Sequence, residues 1–143
     1  MAATSAQIAA MQAALEAEHA AVYGYGVTGA MLTGAAKSLA YADWRAHQIA
    51  RDTLAAMLVK LGAAPVVASP AYTLPFAVTN AASARRLAAA LEDGVTRAYL
   101  GLVAVNNRSL RIFGALAMQP PATRAAVWRG STVAFPGMPG QQA

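Results

Sequence analysis

The chain of 143 residues has no cysteine, only two histidines, and six acidic residues against eleven basic ones. Without cysteine there are no disulfides, no thiolate catalysis, no cysteine-ligated zinc and no iron–sulfur cluster, and the redox compartment is left open. Charged residues make up 12% of the chain, about half the usual share, whereas apolar residues make up 57%. So few charges do not cover the outside of a set of helices. Part of that surface is therefore expected to be hidden by a partner, and a homodimer is the simplest arrangement that hides it. The net charge is +5, but the basic residues are scattered and Arg85-Arg86 is the sole adjacent pair, so there is no specific nucleic-acid signal.

Long hydrophobic runs are missing too. The longest uncharged helical stretch, Ala20 to Ala36, is interrupted by Gly24, Gly26, Gly29 and Gly34, and it falls short of the roughly 20 mainly apolar residues of a membrane span. No transmembrane segment is expected. The opening MAATSAQIAAMQAALEAEH lacks a basic start followed by a continuous apolar stretch, which predicts no signal peptide and a cytoplasmic protein. Strand-like alternation is absent throughout. The length is that of one domain, 1–143, with enough chain to bury a core without staples.

What is present is helical periodicity. Thr4 and Gln7 have capping-box spacing and open a first helix over about 5–33, with an apolar stripe through Ile8, Met11, Leu15, Glu18, Val22, Tyr25, Gly29 and Leu32. A second helix over about 36–61 carries Asp43, His47, Ala50, Leu54, Met57 and Leu61 on one face and stops at Gly62. Residues 62–79 hold Pro65, Pro70 and Pro75, which forbid a helix and favour extended backbone. Extended, the segment reaches about 55 Å, more than the roughly 39 Å length of a neighbouring helix. It is expected to be a crossover.

Asn80 then caps a third helix over 80–105, with Glu92 and Tyr99 on its flank, and Asn107 caps a fourth over 107–129. Pro120-Pro121 is expected to stop or kink that fourth helix near Met118. The tail, 130–143, is rich in turn residues and is expected to pack through Phe135 alone. Four helices with one long connection between the second and third have the ferritin-like topology, an all-α four-helix bundle.

Glu18, Asp43, His47 and Glu92 are ionisable residues that fall on or beside apolar faces. Counting along the helices from the turns brings Glu18, His47 and Glu92 to about the same depth. Two readings follow. In the first, Glu18, Tyr25, His47, Arg51, Glu92 and Tyr99 form a structural polar network, with Arg51 binding Glu18 and the tyrosine hydroxyls finding partners inside. In the second, Glu18, Asp43, His47 and Glu92 hold an iron or manganese ion, as in an oxidoreductase or a metal-storage protein.

The dinuclear sites of such bundles need a Glu-x-x-His pair on each of two helices and a Glu on each of the others. Here Trp44 stands where the second helix would need its acid, and the MQPPATR segment of the fourth helix has neither carboxylate nor histidine. The network is therefore the expected outcome, with no metal or other cofactor. Gly24-x-Gly26-x-x-Gly29 mimics a dinucleotide fingerprint but follows no strand, and no serine is paired with a base, so a catalytic role is not expected. The sequence identifies no small-molecule ligand.

EAEHAAVYGYG, the HQIARDTL stretch, the GAAPVVASPAYTLPF linker, LAAALE, and the closing WRG with AFPGMP resemble an actinobacterial ferritin-like domain family of unknown function. The resemblance spans nearly the whole chain. It implies an all-helical ferritin-like bundle, often dimeric, with no established activity.

Overall fold

The computed structural model describes residues 3–140. Among them are the helices α1 (Ser5–Ala30), α2 (Gly34–Lys60), α3 (Ala81–Val103), α4 (Arg108–Ala117) and α5 (Gln119–Arg129), and no strand. The all-helical bundle anticipated from the sequence is thus present.

The helix starts follow their caps. Thr4 Oγ1 accepts from the amide of Gln7 at 3.3 Å and Gln7 Oε1 accepts from the amide of Thr4 at 3.1 Å, which satisfies two free amides of the first turn. The side chains of Asn80 and Asn107 accept from the amides of Ser83 and Leu110, at 2.9 and 3.0 Å. The helix ends differ from expectation by up to three residues. Gly34 takes φ +56°, a left-handed conformation suited to glycine, so the reversal is made within 31–33: α1 ends at Ala30 instead of 33, and α2 starts at Gly34 instead of 36. Leu61 lies beyond the end of α2 and is exposed, and Leu58 takes the core position in its place.

Met118 divides the fourth helical segment. Pro120 and Pro121 fall in the first turn of α5, where a missing N–H costs nothing. The 107–129 helix is therefore two helices, joined at the predicted break.

Neighbouring helices run antiparallel: Glu18 meets His47 while Tyr25 meets Asp43, and Glu18 meets Tyr99 while Tyr25 meets Glu92. It follows that α2 and α3 are parallel, and residues 61–80 carry the chain back between them along α1. Gln12 fixes this crossover twice, donating to the carbonyl of Ala64 at 2.7 Å and accepting from the amide of Val66 at 2.8 Å. His19 adds a contact of 3.1 Å to the carbonyl of Val66.

Buried positions on α1 are Gln7, Met11, Ala14, Glu18, Ala21, Tyr25 and Thr28, an alternation of four and three that keeps one seam facing its neighbours, with Leu15 and Gly24 beside them. The expected stripe placed Val22 and Gly29 where the seam uses Ala21 and Thr28. α1 and α3 come close at Gly24, where an added Cβ would meet the end of the Leu91 side chain. Two apolar clusters fill the interior, one around Met11, Leu15, Leu54 and Leu102, the other around Tyr25, Leu32, Ala88 and Trp128. Close backbone packing centres on α3, which lies against α1, α4 and α5, while α2 leans on α1. In the tail, Phe135 is 64% exposed and Gly137 is the buried residue, because its bare Cα fits against the backbone of Arg97.

Candidate functional site

Between the two apolar clusters each long face contributes a pair of polar side chains. The pairs are Glu18 and Tyr25 from α1, Asp43 and His47 from α2, Glu92 and Tyr99 from α3, and Arg124 and Trp128 from α5. Spacings of four and seven place both members of a pair on one side of their helix. All are buried except the partly exposed Arg124.

The hydrogen bonds are reciprocal. Tyr99 Oη donates to Glu18 Oε1 at 2.8 Å, and Tyr25 Oη donates to Glu92 Oε1 at 2.6 Å, so each of two antiparallel helices gives a glutamate to the other's tyrosine. His47 bridges the two halves: Nδ1 lies 2.6 Å from Glu18 Oε2 and Nε2 lies 3.0 Å from Glu92 Oε1. Ionised carboxylates only accept, so the ring satisfies both of them when it carries both protons. Arg124 Nε donates to Glu92 Oε1 at 2.8 Å. Asp43 Oδ2 accepts from Trp128 Nε1 at 2.8 Å and lies 3.3 Å from the Tyr25 hydroxyl.

The electrostatics follow. Burial disfavours the charge on His47, but its hydrogen bonds to Glu18 and Glu92 outweigh burial and hold its pKa at about 9. For Glu92, burial again works against ionisation, and His47 and then Arg124 bring the carboxyl below its usual range. Burial raises Asp43 despite the donation from Trp128. Burial, followed by the adjoining glutamates, pushes the phenols of Tyr25 and Tyr99 above the ordinary tyrosine range. Arg124 is held above its ordinary value because Glu92 and Asp43 outweigh its own burial. Two cations thus stand among three carboxyl groups, one of which resists ionisation.

Five of the six residues expected to form a network, Glu18, Tyr25, His47, Glu92 and Tyr99, come together, and Asp43 joins them. Arg51 does not. It pairs with Asp52 at 2.8 Å on the outer side of α2, while the oxygens of Glu18 are bound by His47 and Tyr99. The arginine of the cluster is Arg124, from the same MQPPATR segment that lacks an acid. Trp44 donates to the carbonyl of Val22 at 3.1 Å. Glu16 is exposed. Sequence reasoning missed Arg124 and Trp128, although their spacing of four after the double proline was a usable signal.

As a set of metal ligands the cluster is poorly disposed. Both nitrogens of His47 are engaged, Glu92 Oε1 already receives three donors, and a guanidinium occupies the space beside it. Among the described residues no three His, Asp or Glu side chains are arranged to hold one ion. Glu92 Oε2 is buried with no hydrogen-bond partner among the described residues. The hydroxyls of the cluster, those of Tyr25 and Tyr99, donate to carboxylates, an arrangement that can hold charge and protons in place.

The fold and its polar centre define an all-helical bundle closed around a buried ionic network. The chain belongs to the DUF4439 family, a domain of unknown function, which matches residues 10–140. It is similar to a conserved hypothetical protein, rv2844, from Mycobacterium tuberculosis, whose crystal structure shares 32% identity over 90% of this chain and 98% of that one, with a TM-score of 0.85. No curated protein matches the chain.

Proposed function

We propose that the protein is a ferritin-like bundle of the non-catalytic, binding type, in which the cluster replaces a metal centre and locks α2 to the rest of the fold. The single observation that carries this reading is His47, whose two ring nitrogens are both spent on carboxylates, so no lone pair remains for a metal. Iron or manganese held by Glu18, Asp43, His47 and Glu92 does not fit these side chains, since a divalent ion would have to displace the imidazole protons and sit beside Arg124. The sparse close packing of α2 on α3 and α5 supports a docking role, because the cluster supplies the ties that backbone proximity does not. The helix order, with its crossover between α2 and α3, supports the ferritin-like assignment.

The test is metal analysis of untagged protein, with melting in the presence of iron, manganese and zinc. The expected result is no stoichiometric metal and no rise in melting temperature. Stoichiometric metal that disappears in Glu18→Ala or His47→Ala would overturn the reading.

The protein acts as a cytoplasmic homodimer in this proposal. Support comes from large apolar side chains left exposed on α2 (Tyr41, Ile49, Val59) and on α4 and α5 (Ile112, Leu116, Val127). Sedimentation at micromolar concentration is expected to give a dimer, and a monomer throughout that range would refute it.

A further inference from the structure

A second site lies on the outer side of α3, sharing Trp128 with the buried cluster but independent of how that cluster is read. A cavity of about 660 Å³ opens between α3, the end of α5, the crossover and the tail. Its size is that of a small-molecule pocket. Four arginines line it, Arg85, Arg86 and Arg97 from α3 and Arg129 from α5, and Asp93 is the sole acid. Scattered in sequence, these residues converge because positions 86, 93 and 97 recur along one outward face of the helix.

Asp93 is already paired with Arg129. Arg85, Arg86 and Arg97 have no carboxylate partner among the described residues. They are nonetheless held in place. Arg86 stacks 4.4 Å from the ring of Phe76, Arg85 lies 5.9 Å from the ring of Trp128, and Arg97 Nε donates to the carbonyl of Gly137 at 3.3 Å. Gly137, at φ +83°, seats the tail against the backbone of Arg97 and so makes the far wall. Stacked guanidiniums keep their edge donors for a ligand and have less freedom to lose when one binds.

We infer that this cavity binds a small molecule carrying two or more phosphoryl groups. A carboxylate takes one guanidinium fork, whereas phosphoryl groups offer acceptor oxygens on several sides. Arg86 and Arg97 are eleven residues apart, roughly 16 Å along the helix, so one isolated phosphate does not serve both. The phosphoryl chemistry is common to a soluble metabolite and to a lipid headgroup.

The experiment distinguishes these sources. Inorganic tripolyphosphate is titrated calorimetrically at fixed ionic strength, and vesicles of phosphatidylcholine with phosphatidylinositol bisphosphate, whose headgroup carries further phosphoryl groups, are tested by co-sedimentation. Arg86→Gln and Arg97→Gln are compared with Arg108→Gln and Arg111→Gln, which remove the same charge on α4 outside the cavity. Saturable tripolyphosphate binding, weakened about tenfold or more by either cavity variant and unchanged in the α4 variants, is the result expected of a soluble ligand. The same pattern on vesicles supports the inference with a lipid headgroup as the source. No saturable binding to either probe, or equal weakening by all four variants, would overturn it.

Discussion

Arg124 Nε lies 2.8 Å from Glu92 Oε1, and through this contact α5 reaches the charge at the centre of the bundle. The same oxygen accepts from Tyr25 and faces His47, so three helices converge on one atom of a fourth. A carboxylate supported in this way stays ionised without solvent. Removing a supporting cation leaves a buried charge that the remaining groups only partly offset.

Arg124→Ala is therefore expected to destabilise the fold by about 2 to 3 kcal/mol, below the full cost of breaking a buried pair because the arginine side chain is 21% exposed. Arg51→Ala, which loses only a surface contact with the neighbouring Asp52, should stay within about 0.5 kcal/mol. Urea unfolding of both variants decides the matter; equal losses would mean that Arg124 is not the cation on which the cluster depends.

These two arginines also mark how far the sequence could be read. Helix order, the crossover and the depth of Glu18, His47 and Glu92 were legible because apolar periodicity and proline placement act locally. The choice of arginine was not, because it depends on which helix end closes over the cluster, and that is set by the kink at Met118. The MQPPATR segment holds neither carboxylate nor histidine, yet its arginine completes the charge pattern. The same limit applies to the cavity on α3, whose arginines look scattered until α5 and the tail fold back beside them.

The two tyrosines make unequal contributions. Among the described residues Tyr99 is the sole hydrogen-bond partner of Glu18 Oε1, so Tyr99→Phe leaves that buried oxygen bare, at an expected cost of about 2 to 3 kcal/mol. Tyr25→Phe leaves Glu92 Oε1 with Arg124 and His47 still in place, and about 1 kcal/mol is expected. Chemical denaturation should rank them in that order. The reverse order would show that the Tyr25 hydroxyl matters more to Asp43 than its 3.3 Å contact suggests.

Close helix approach gives a third comparison. A Cβ on Gly114 would lie 2.7 Å from Leu102 Cβ and 2.9 Å from the carbonyl oxygen of Tyr99, atoms that move only if α3 moves. Gly114→Ala should cost about 1 to 3 kcal/mol. At Gly24 the clash is with the end of the Leu91 side chain, which can change rotamer, and alanine's better helix propensity returns about 0.5 to 1 kcal/mol. Gly24→Ala is expected to be close to neutral, and thermal melting in which it is the worse of the two would count against the packing described for α1 and α3.

The raised pKa of His47 makes stability depend on pH with a definite sign. The groups facing it are Glu18 from α1, Glu92 from α3 and the ring of Tyr25, 5.3 Å away. Below about 6.5, the unperturbed histidine value, folded and unfolded chains both carry the proton and the whole contribution is present. Between there and about 9 the unfolded chain has released a proton that the folded chain keeps, so stability falls by up to about 1.4 kcal/mol per pH unit. The loss is complete above the folded pKa and amounts to on the order of 3 kcal/mol. Glu92, depressed by the same contacts, acts at the other end: its contribution is present above the ordinary carboxylate range and is lost on acidification. The tyrosines enter only above about pH 10, where the unfolded phenols ionise. Urea midpoints of the wild type measured from pH 6 to 9.5 should therefore decline with pH, and His47→Gln should remove the slope. A wild type whose stability is level across that interval would mean that His47 is neutral in the fold, with a ring nitrogen free to bind something else.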